Sequence, residues 1–334
     1  MHIKAATLDD LLRKATKHVL SKGIYNVATR GANREQFGVL LELTNPLARL
    51  SRTESRGQLF SCLGEFLWYA SASDSLEFIK YYIKRYAKES SDKRTIYGAY
   101  GPRIFRWRDI NQVENVVQLL QRKPTTRQAV IQIFDAEDIN SDNVKPPCTC
   151  SIQLSLRGQQ LDAMATMRSN DVLLGLPHDV FAFTMFQELV ARKLGAQLGV
   201  YKHSVGSLHL YDEDIDKAKE FLREGWQSNV PMPSMPQGDN CQQVRKTLKA
   251  EALIRKSGGV PDTGTLSDYW KDIVTLLRIF KAYKTKQADS ISTLKDQITS
   301  NVFNTYIERK LPQPPTAIVQ PSLDFSGSSS GSEN

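Results

Sequence analysis

Three short stretches of this chain concentrate the side chains that could do chemistry. Pro146-Pro147-Cys148-Thr149-Cys150 supplies a thiol. Met167-Arg168-Ser169-Asn170-Asp171, continuing through Gly175-Leu176-Pro177-His178-Asp179, supplies an anion-binding Arg-Ser pair and two carboxylates. Val205-Gly206-Ser207-Leu208-His209-Leu210-Tyr211 supplies an imidazole and a phenol two residues apart. This inventory suits nucleophilic catalysis on a phosphorylated substrate. Cys148 is the candidate nucleophile, because it follows a rigid Pro-Pro turn and the neighbouring arginines favour the reactive thiolate. Read alone, it would be a small buried hydrophobe. Cys150, two residues on along the same strand face, reads as structural. Arginine's planar fork matches phosphate geometry, so Arg168 with Ser169 is the candidate anion anchor.

These stretches sit at the ends of predicted strands. Residues 151–156 alternate polar and apolar, then turn at Arg157-Gly158 into a hairpin partner over 160–167. Residues 201–210 read as a further strand, preceded by a long apolar helix over 180–194. Upstream, the pattern predicts a helix over 7–20 with Thr7 as N-cap, a basic turn over 29–35, and a strand over 37–43. Arg30 and Arg34 in that turn fit a solvated loop as well as a ligand contact. Residues 57–72 are strongly apolar and predict a buried helix. Glu65 inside it must be ion-paired or functional, because a carboxylate buried alone is costly. A helix over 75–86, a charged loop over 84–94, a Gly/Pro turn over 97–102 and a helix over 110–122 follow. Residues 124–127 turn into a buried strand over 129–134, residues 136–144 read as a polar loop, and 214–225 as a helix. Strands and helices without regular alternation argue for an α+β fold.

The expected division is a catalytic domain over 1–227, a Pro/Met/Gly-rich linker over 228–243, a helical extension over 244–312 and a disordered tail over 313–334. The extension should carry helices over 244–254, 267–283 and 290–306. A length of 334 residues allows one large core, or one domain with an appendage. Hydrophobic residues at 40% and charged residues at 24% are those of a soluble globular protein. The net charge of +8 suits a polyanion or a phosphorylated small molecule without choosing between them. Four scattered cysteines do not make a disulfide framework, so reduced thiols and a cytoplasmic location are expected. Cys148 and Cys150 lack a second pair or a nearby histidine, so no zinc site is expected. Residues 1–17 are too polar for a signal peptide, and no apolar run is long enough to span a membrane.

Taken together and in order, the motifs resemble the thymidylate synthase superfamily, most closely its pyrimidine hydroxymethylase branch. Pro147-Cys148, Arg168-Ser169-Asn170-Asp171, Gly175-Leu176-Pro177 and His209-Leu210-Tyr211 all fall at the family's spacings. The resemblance runs more weakly from about Arg30 to Tyr211 and leaves out the helical extension. It implies a thymidylate synthase-like mixed sheet with flanking helices, and a methylenetetrahydrofolate-dependent reaction at carbon 5 of a pyrimidine nucleoside monophosphate. The Cys148 thiolate would add to carbon 6, and the resulting methylene would take up hydride to give methyl, or water to give hydroxymethyl. Arg168, Ser169, Arg127 and Arg30 would hold the phosphate. Arg127 would cross from a partner subunit, which implies a homodimer with shared sites; the family's second arginine there is Gln128 in this chain. His209 and Tyr211 would bind the sugar, Gln153 would help position the nucleotide, Glu65 and Tyr100 would order proton-transfer water, and Asp171 and Gly175 would lie at the folate.

Three departures separate this chain from the synthase itself. Asp179 stands where the synthase has an asparagine that reads uracil. Thr149 replaces the histidine after the nucleophile. The tryptophan that shields the synthase's intermediate has no counterpart near Tyr86. A protonated carboxylic acid complements cytosine, donating to its ring nitrogen and accepting from its amino group. Asp179 could equally be a surface turn residue after Pro177. The reading that follows is a deoxycytidylate (dCMP) 5-hydroxymethylase. A thymidylate synthase, a dUMP or CMP hydroxymethylase, and a non-catalytic nucleic-acid or partner-binding module on the same scaffold are the alternatives, although nucleic-acid binding is not expected.

Overall fold

The alternating segments around the three chemical stretches converge in one sheet. The computed structural model describes residues 1–54, 58–140 and 145–311. Its strands are β1 (His2–Ala5), β2 (Ile24–Ala28), β3 (Gly31–Leu43), β4 (Val130–Gln132), β5 (Thr149–Arg157), β6 (Gln160–Asp171) and β7 (Gln197–Tyr211). They run in the order β1-β3-β7-β6-β5-β4, with β2 paired to β3. Helices α1 (Leu8–Lys22), α2 (Leu59–Ala70), α3 (Leu76–Tyr82), α4 (Tyr100–Phe105), α5 (Gln112–Arg122), α6 (Leu176–Lys193) and α7 (Ile215–Arg223) flank the sheet. Helices α8 (Cys241–Ser257), α9 (Asp268–Lys284), α10 (Ala288–Lys295) and α11 (Asn304–Glu308) form the C-terminal extension. This is the expected α+β class.

Local chemistry explains the main elements. Thr7 Oγ1 accepts from the Asp10 amide at 3.1 Å and starts α1, a cap worth about 1 kcal/mol. Leu8, Leu11, Leu12, Ala15 and Val19 then line its buried face. Helix α6 is apolar on nearly every side and is accordingly enclosed, against β6 and β7 on one side and α1, α2 and α5 on others. It is the crossover between the parallel strands β6 and β7, whose register sets Ser169 opposite Ser207 and Asp171 opposite His209. Among the described residues no helix is long and apolar enough to cross a membrane.

The structure redraws several predicted elements. The strand expected over 37–43 begins at Gly31, because the supposed basic turn is the tip of a β2–β3 hairpin and only Thr29 and Arg30 turn. The Gly/Pro turn at 97–102 passes into α4 at Tyr100; Pro102 lies in its first turn, where a missing N–H leaves no bond unmade. Helix α3 stops at Tyr82 and continues as a 3₁₀ turn over Lys84–Lys88. The helix expected over 290–306 breaks after Lys295, where the buried Asp272 carboxylate takes the amides of Thr299 (2.9 Å) and Ser300 (3.0 Å). The segment over 228–243 runs along the body, with Met232 and Met235 buried and the Met232 amide bonded to the Leu47 carbonyl at 2.8 Å. The start of the helix expected from Gly57, the end of the loop at 141–144 and the tail over 313–334 lie outside the described residues.

One buried ion pair joins the two halves of the chain. Glu188 of α6 pairs with Arg49, both fully enclosed, and also accepts from Arg192 at 3.2 Å and from the Met235 amide at 2.8 Å. Glu188→Ala should strand the Arg49 charge in the core and cost about 3–5 kcal/mol. Urea unfolding should show this as a lowered midpoint at an unchanged slope; an unmoved midpoint would mean that Arg49 finds water or another partner.

Candidate active site

Cys148 sits just before β5, held by its neighbours on both sides. Its carbonyl accepts from the Arg168 amide at 2.9 Å, across the β5–β6 pair. The Arg168 side chain folds back over the Pro-Pro turn, with Nε donating to the Pro147 carbonyl at 3.0 Å and Nη2 to the Pro146 carbonyl at 2.9 Å. The same Nη2 lies 3.7 Å from the Cys148 Sγ. The expected thiolate does not follow at rest. Burial pushes the Cys148 thiol above its ordinary pKa, and the charge of Asp179 adds to this, outweighing the opposing pull of Arg168 and Arg30.

Two buried carboxyl groups lie nearby: Asp179 acts on this thiol, and Glu65 acts on Asp179. Glu65, on α2, accepts the hydroxyls of Tyr69 (2.9 Å) and Tyr86 on one oxygen, and its second oxygen is buried with no partner. The ion pair weighed for Glu65 is absent among the described residues; phenols hold it instead. Asp179 is in the first turn of α6 rather than on a surface turn, and it is 7% exposed. Burial, reinforced by the charge of Glu65, raises its pKa to about 8, against the Asn170 hydrogen bond and Arg85. The Asn170 amide donates to Asp179 Oδ2 at 2.6 Å. Gly175 makes room for that contact: a Cβ there would lie 3.3 Å from Asn170 Nδ2 and 3.5 Å from Asp179 Oδ2. Tyr100 is buried within the fields of Asp179, Cys148 and Glu65, and its ring centroid lies 4.9 Å from that of Tyr69.

The remaining predicted residues divide by position. Asp171 caps the following turn, with Oδ1 accepting from the amides of Leu173 and Leu174 at 2.7 Å each; Oδ2 is buried and unpartnered. His209 lies opposite it on β7, edge-on to Tyr211 with ring centroids 5.0 Å apart. Ser169 follows Arg168 on the same strand. Arg30, at the hairpin tip, is on the rim and already paired with Glu89 at 2.5 Å. Gln153 and Arg127 stand apart. The Gln153 amide donates to the Arg127 carbonyl at 3.1 Å, and the strand register places Val130 opposite Gln153. Arg127 therefore lies toward the far end of β5, roughly 25 Å from Cys148 at about 3.3 Å per residue.

Sequence reasoning gave no role to Tyr69, Tyr86, Arg85, His178 or Asn170. Tyr69 was findable, four residues after Glu65 on one helix face. Asn170 lay inside a quoted motif. Arg85 and Tyr86 sit in the charged segment after α3, where nothing local marks them; Arg85 donates to the Leu174 carbonyl at 3.0 Å. His178 shares that carbonyl (Nδ1, 3.0 Å), and its Nε2 meets Ser61 Oγ at 3.0 Å.

The thymidylate synthase family model matches residues 14–250, more than half of the chain. The chain belongs to the thymidylate synthase family. Among curated relatives, the deoxyuridylate hydroxymethyltransferase of Delftia phage PhiW-14 is 27% identical over 215 residues, 60% of this chain. That alignment spans 59% of the relative's own length. All of Cys148, Arg168, Asp171 and His209 lie within the matched residues, and they converge at one end of β5, β6 and β7.

At pH 8, iodoacetamide should modify Cys148 ahead of Cys62, which burial raises much further. Arg168→Leu should slow the reaction of Cys148, because the lost guanidinium no longer favours the thiolate. Peptide mass mapping reads both rates; a faster reaction in the variant would reverse the sign assigned to Arg168.

Proposed function

We propose that this protein is a folate-dependent deoxycytidylate 5-hydroxymethylase. The observation that carries the reading is the enclosed Asp179 carboxyl, whose pKa of about 8 leaves it protonated at neutral pH. With Oδ2 accepting from Asn170, an O–H on Oδ1 donates to the cytosine ring nitrogen and Oδ2 accepts from the amino group. The unpartnered Asp171 Oδ2 is an acceptor suited to the ring N–H groups of a reduced folate, so the donor set fits methylenetetrahydrofolate. That cofactor supplies the one-carbon unit when bound. Cys148 adds to carbon 6 of the base as its proton leaves. Glu65, with a free buried oxygen and two phenols fixing the other, handles the proton and orders the water that completes a hydroxymethyl group. His209 and Tyr211 take the sugar, and Arg168 with Ser169 takes the phosphate. Four free cysteines suit a reducing cytoplasm.

Deoxyuridylate is the second reading, favoured by the activity for which the phage relative is named. The two part at Asp179. Asp179→Asn should shift kcat/KM from dCMP toward dUMP by roughly tenfold to a hundredfold, since each mismatched buried polar group costs about 1–3 kcal/mol. In the wild type the dCMP-to-dUMP ratio should fall as pH rises through about 8, because ionisation removes the O–H donor. Carbon-5 tritium release with mass identification of products measures both. A wild type that prefers dUMP, or a ratio that the substitution leaves unchanged, ends the deoxycytidylate assignment.

We further propose a homodimer with shared sites. An arginine side chain cannot bridge the ~25 Å to its own Cys148 along β5; on this proposal Arg127 serves a partner's phosphate site instead. Mixing Arg127→Ala with Cys148→Ser subunits should recover one complete site per heterodimer. Verified heterodimers with no recovered turnover would remove Arg127 from the partner's site.

A further inference from the structure

The C-terminal extension grips the two elements that present Glu65. Tyr82, the last residue of α3, lies flat on α2 at Gly64, where a Cβ would sit only 2.1 Å from its ring. Gly64 immediately precedes Glu65, and four residues after Tyr82 comes Tyr86, whose hydroxyl Glu65 accepts. The far side of the Tyr82 ring belongs to the extension. Phe280 of α9 stacks on it at 5.4 Å and 14°, and also on Phe60 of α2 at 5.4 Å and 16°. The Tyr82 hydroxyl donates to Glu251 of α8 at 2.9 Å. Glu251 is 1% exposed and is fixed in turn by Arg255 Nε at 2.7 Å. Lys284 Nζ ties the end of α9 to the Tyr81 carbonyl at 2.6 Å.

We propose that Tyr82, clamped by Glu251 and Phe280, is a positioning residue for Glu65, so that the extension supports the active site from outside it. The inference rests on the role given to Glu65 above. A misplaced catalytic group costs turnover steeply, roughly a hundredfold for 1 Å. Among the described residues the clamp touches no part of the proposed nucleotide anchor of Arg168, Ser169 and His209, so losing it should leave nucleotide affinity alone.

The test uses the full chain with Glu251→Ala, Glu251→Gln and Phe280→Leu, the last being the milder change should Glu251→Ala fail to fold. Hydrogen exchange is read first, because it needs no turnover. Peptides covering α2 and residues 83–88 should exchange faster in Glu251→Ala and Phe280→Leu, with β6 unchanged. Equal exchange in all proteins overturns the clamp whatever the enzyme does. Turnover on dCMP is read second. Glu251→Ala and Phe280→Leu should lower kcat roughly tenfold to a hundredfold with the nucleotide KM unchanged. Glu251→Gln keeps an acceptor for the Tyr82 hydroxyl and should stay within about threefold of wild type. Loosened exchange with wild-type kcat, or a rise in KM instead of a fall in kcat, shows a structural role only and overturns the inference. A wild type inactive on every pyrimidine nucleotide would refute the proposed function, while the exchange measurement would still decide the clamp.

Discussion

The site is built around the cost of burying negative charge. Asp179 lies within electrostatic reach of both Cys148 and Glu65, and anions at all three would repel with little water to screen them. The structure answers with protons and donors. The thiol and Asp179 keep their protons at neutral pH, while Glu65 receives two phenol hydroxyls. Asp179 is raised chiefly by burial and further by the neighbouring Glu65. This arrangement resembles other sites where neighbouring carboxyls take different roles because their surroundings drive them apart. Here, on the proposed reading, Glu65 would manage protons and the protonated Asp179 would read the base.

The scaffold follows from that requirement. Asp179 can be enclosed because α6 is apolar on nearly every side and is covered by both sheet and helices. The crossover through α6 brings β6 and β7 side by side in parallel, which sets Asp171 against His209 and Ser169 against Ser207. The β5–β6 hairpin brings Cys148 next to Arg168. Three motifs some twenty to forty residues apart thus meet through two ordinary connections.

What was legible in the sequence, and what was not, divides along the same lines. Strands β5, β6 and β7 carry clear alternation, α6 is a long apolar run, and both were readable within a few residues. Where a long-range partner decides the backbone, local pattern failed: Asp272 breaks the chain at Thr299, and β2 turns a supposed loop into a hairpin. At the site, residue identity was legible and protonation was not. Arginines near Cys148 suggested a thiolate, yet burial has the opposite sign and wins. Burial depends on packing from α2, α4 and α6 together, and no single stretch encodes it. Tyr86 and Arg85 illustrate the same limit, since only the tertiary fold brings the segment after α3 to Glu65 and Leu174.

The bonding of Arg168 bears on why such a site would be shared. A guanidinium carries five N–H donors. One reaches the Pro147 carbonyl, one the Pro146 carbonyl, and the second hydrogen of Nη2 points toward the Cys148 sulfur. Two N–H groups, both on Nη1, remain for an external anion. That nitrogen alone cannot present the parallel two-nitrogen fork that makes arginine a strong phosphate ligand. An arginine that shapes the nucleophile's turn is therefore a partial phosphate anchor. On the proposed reading the rest of the anchoring must come from elsewhere. Arg30 is engaged with Glu89 at the rim, and Arg127 of the same chain is too distant. On the proposed dimer, a second subunit's Arg127 would meet the need without disturbing the contacts that hold Cys148 in place.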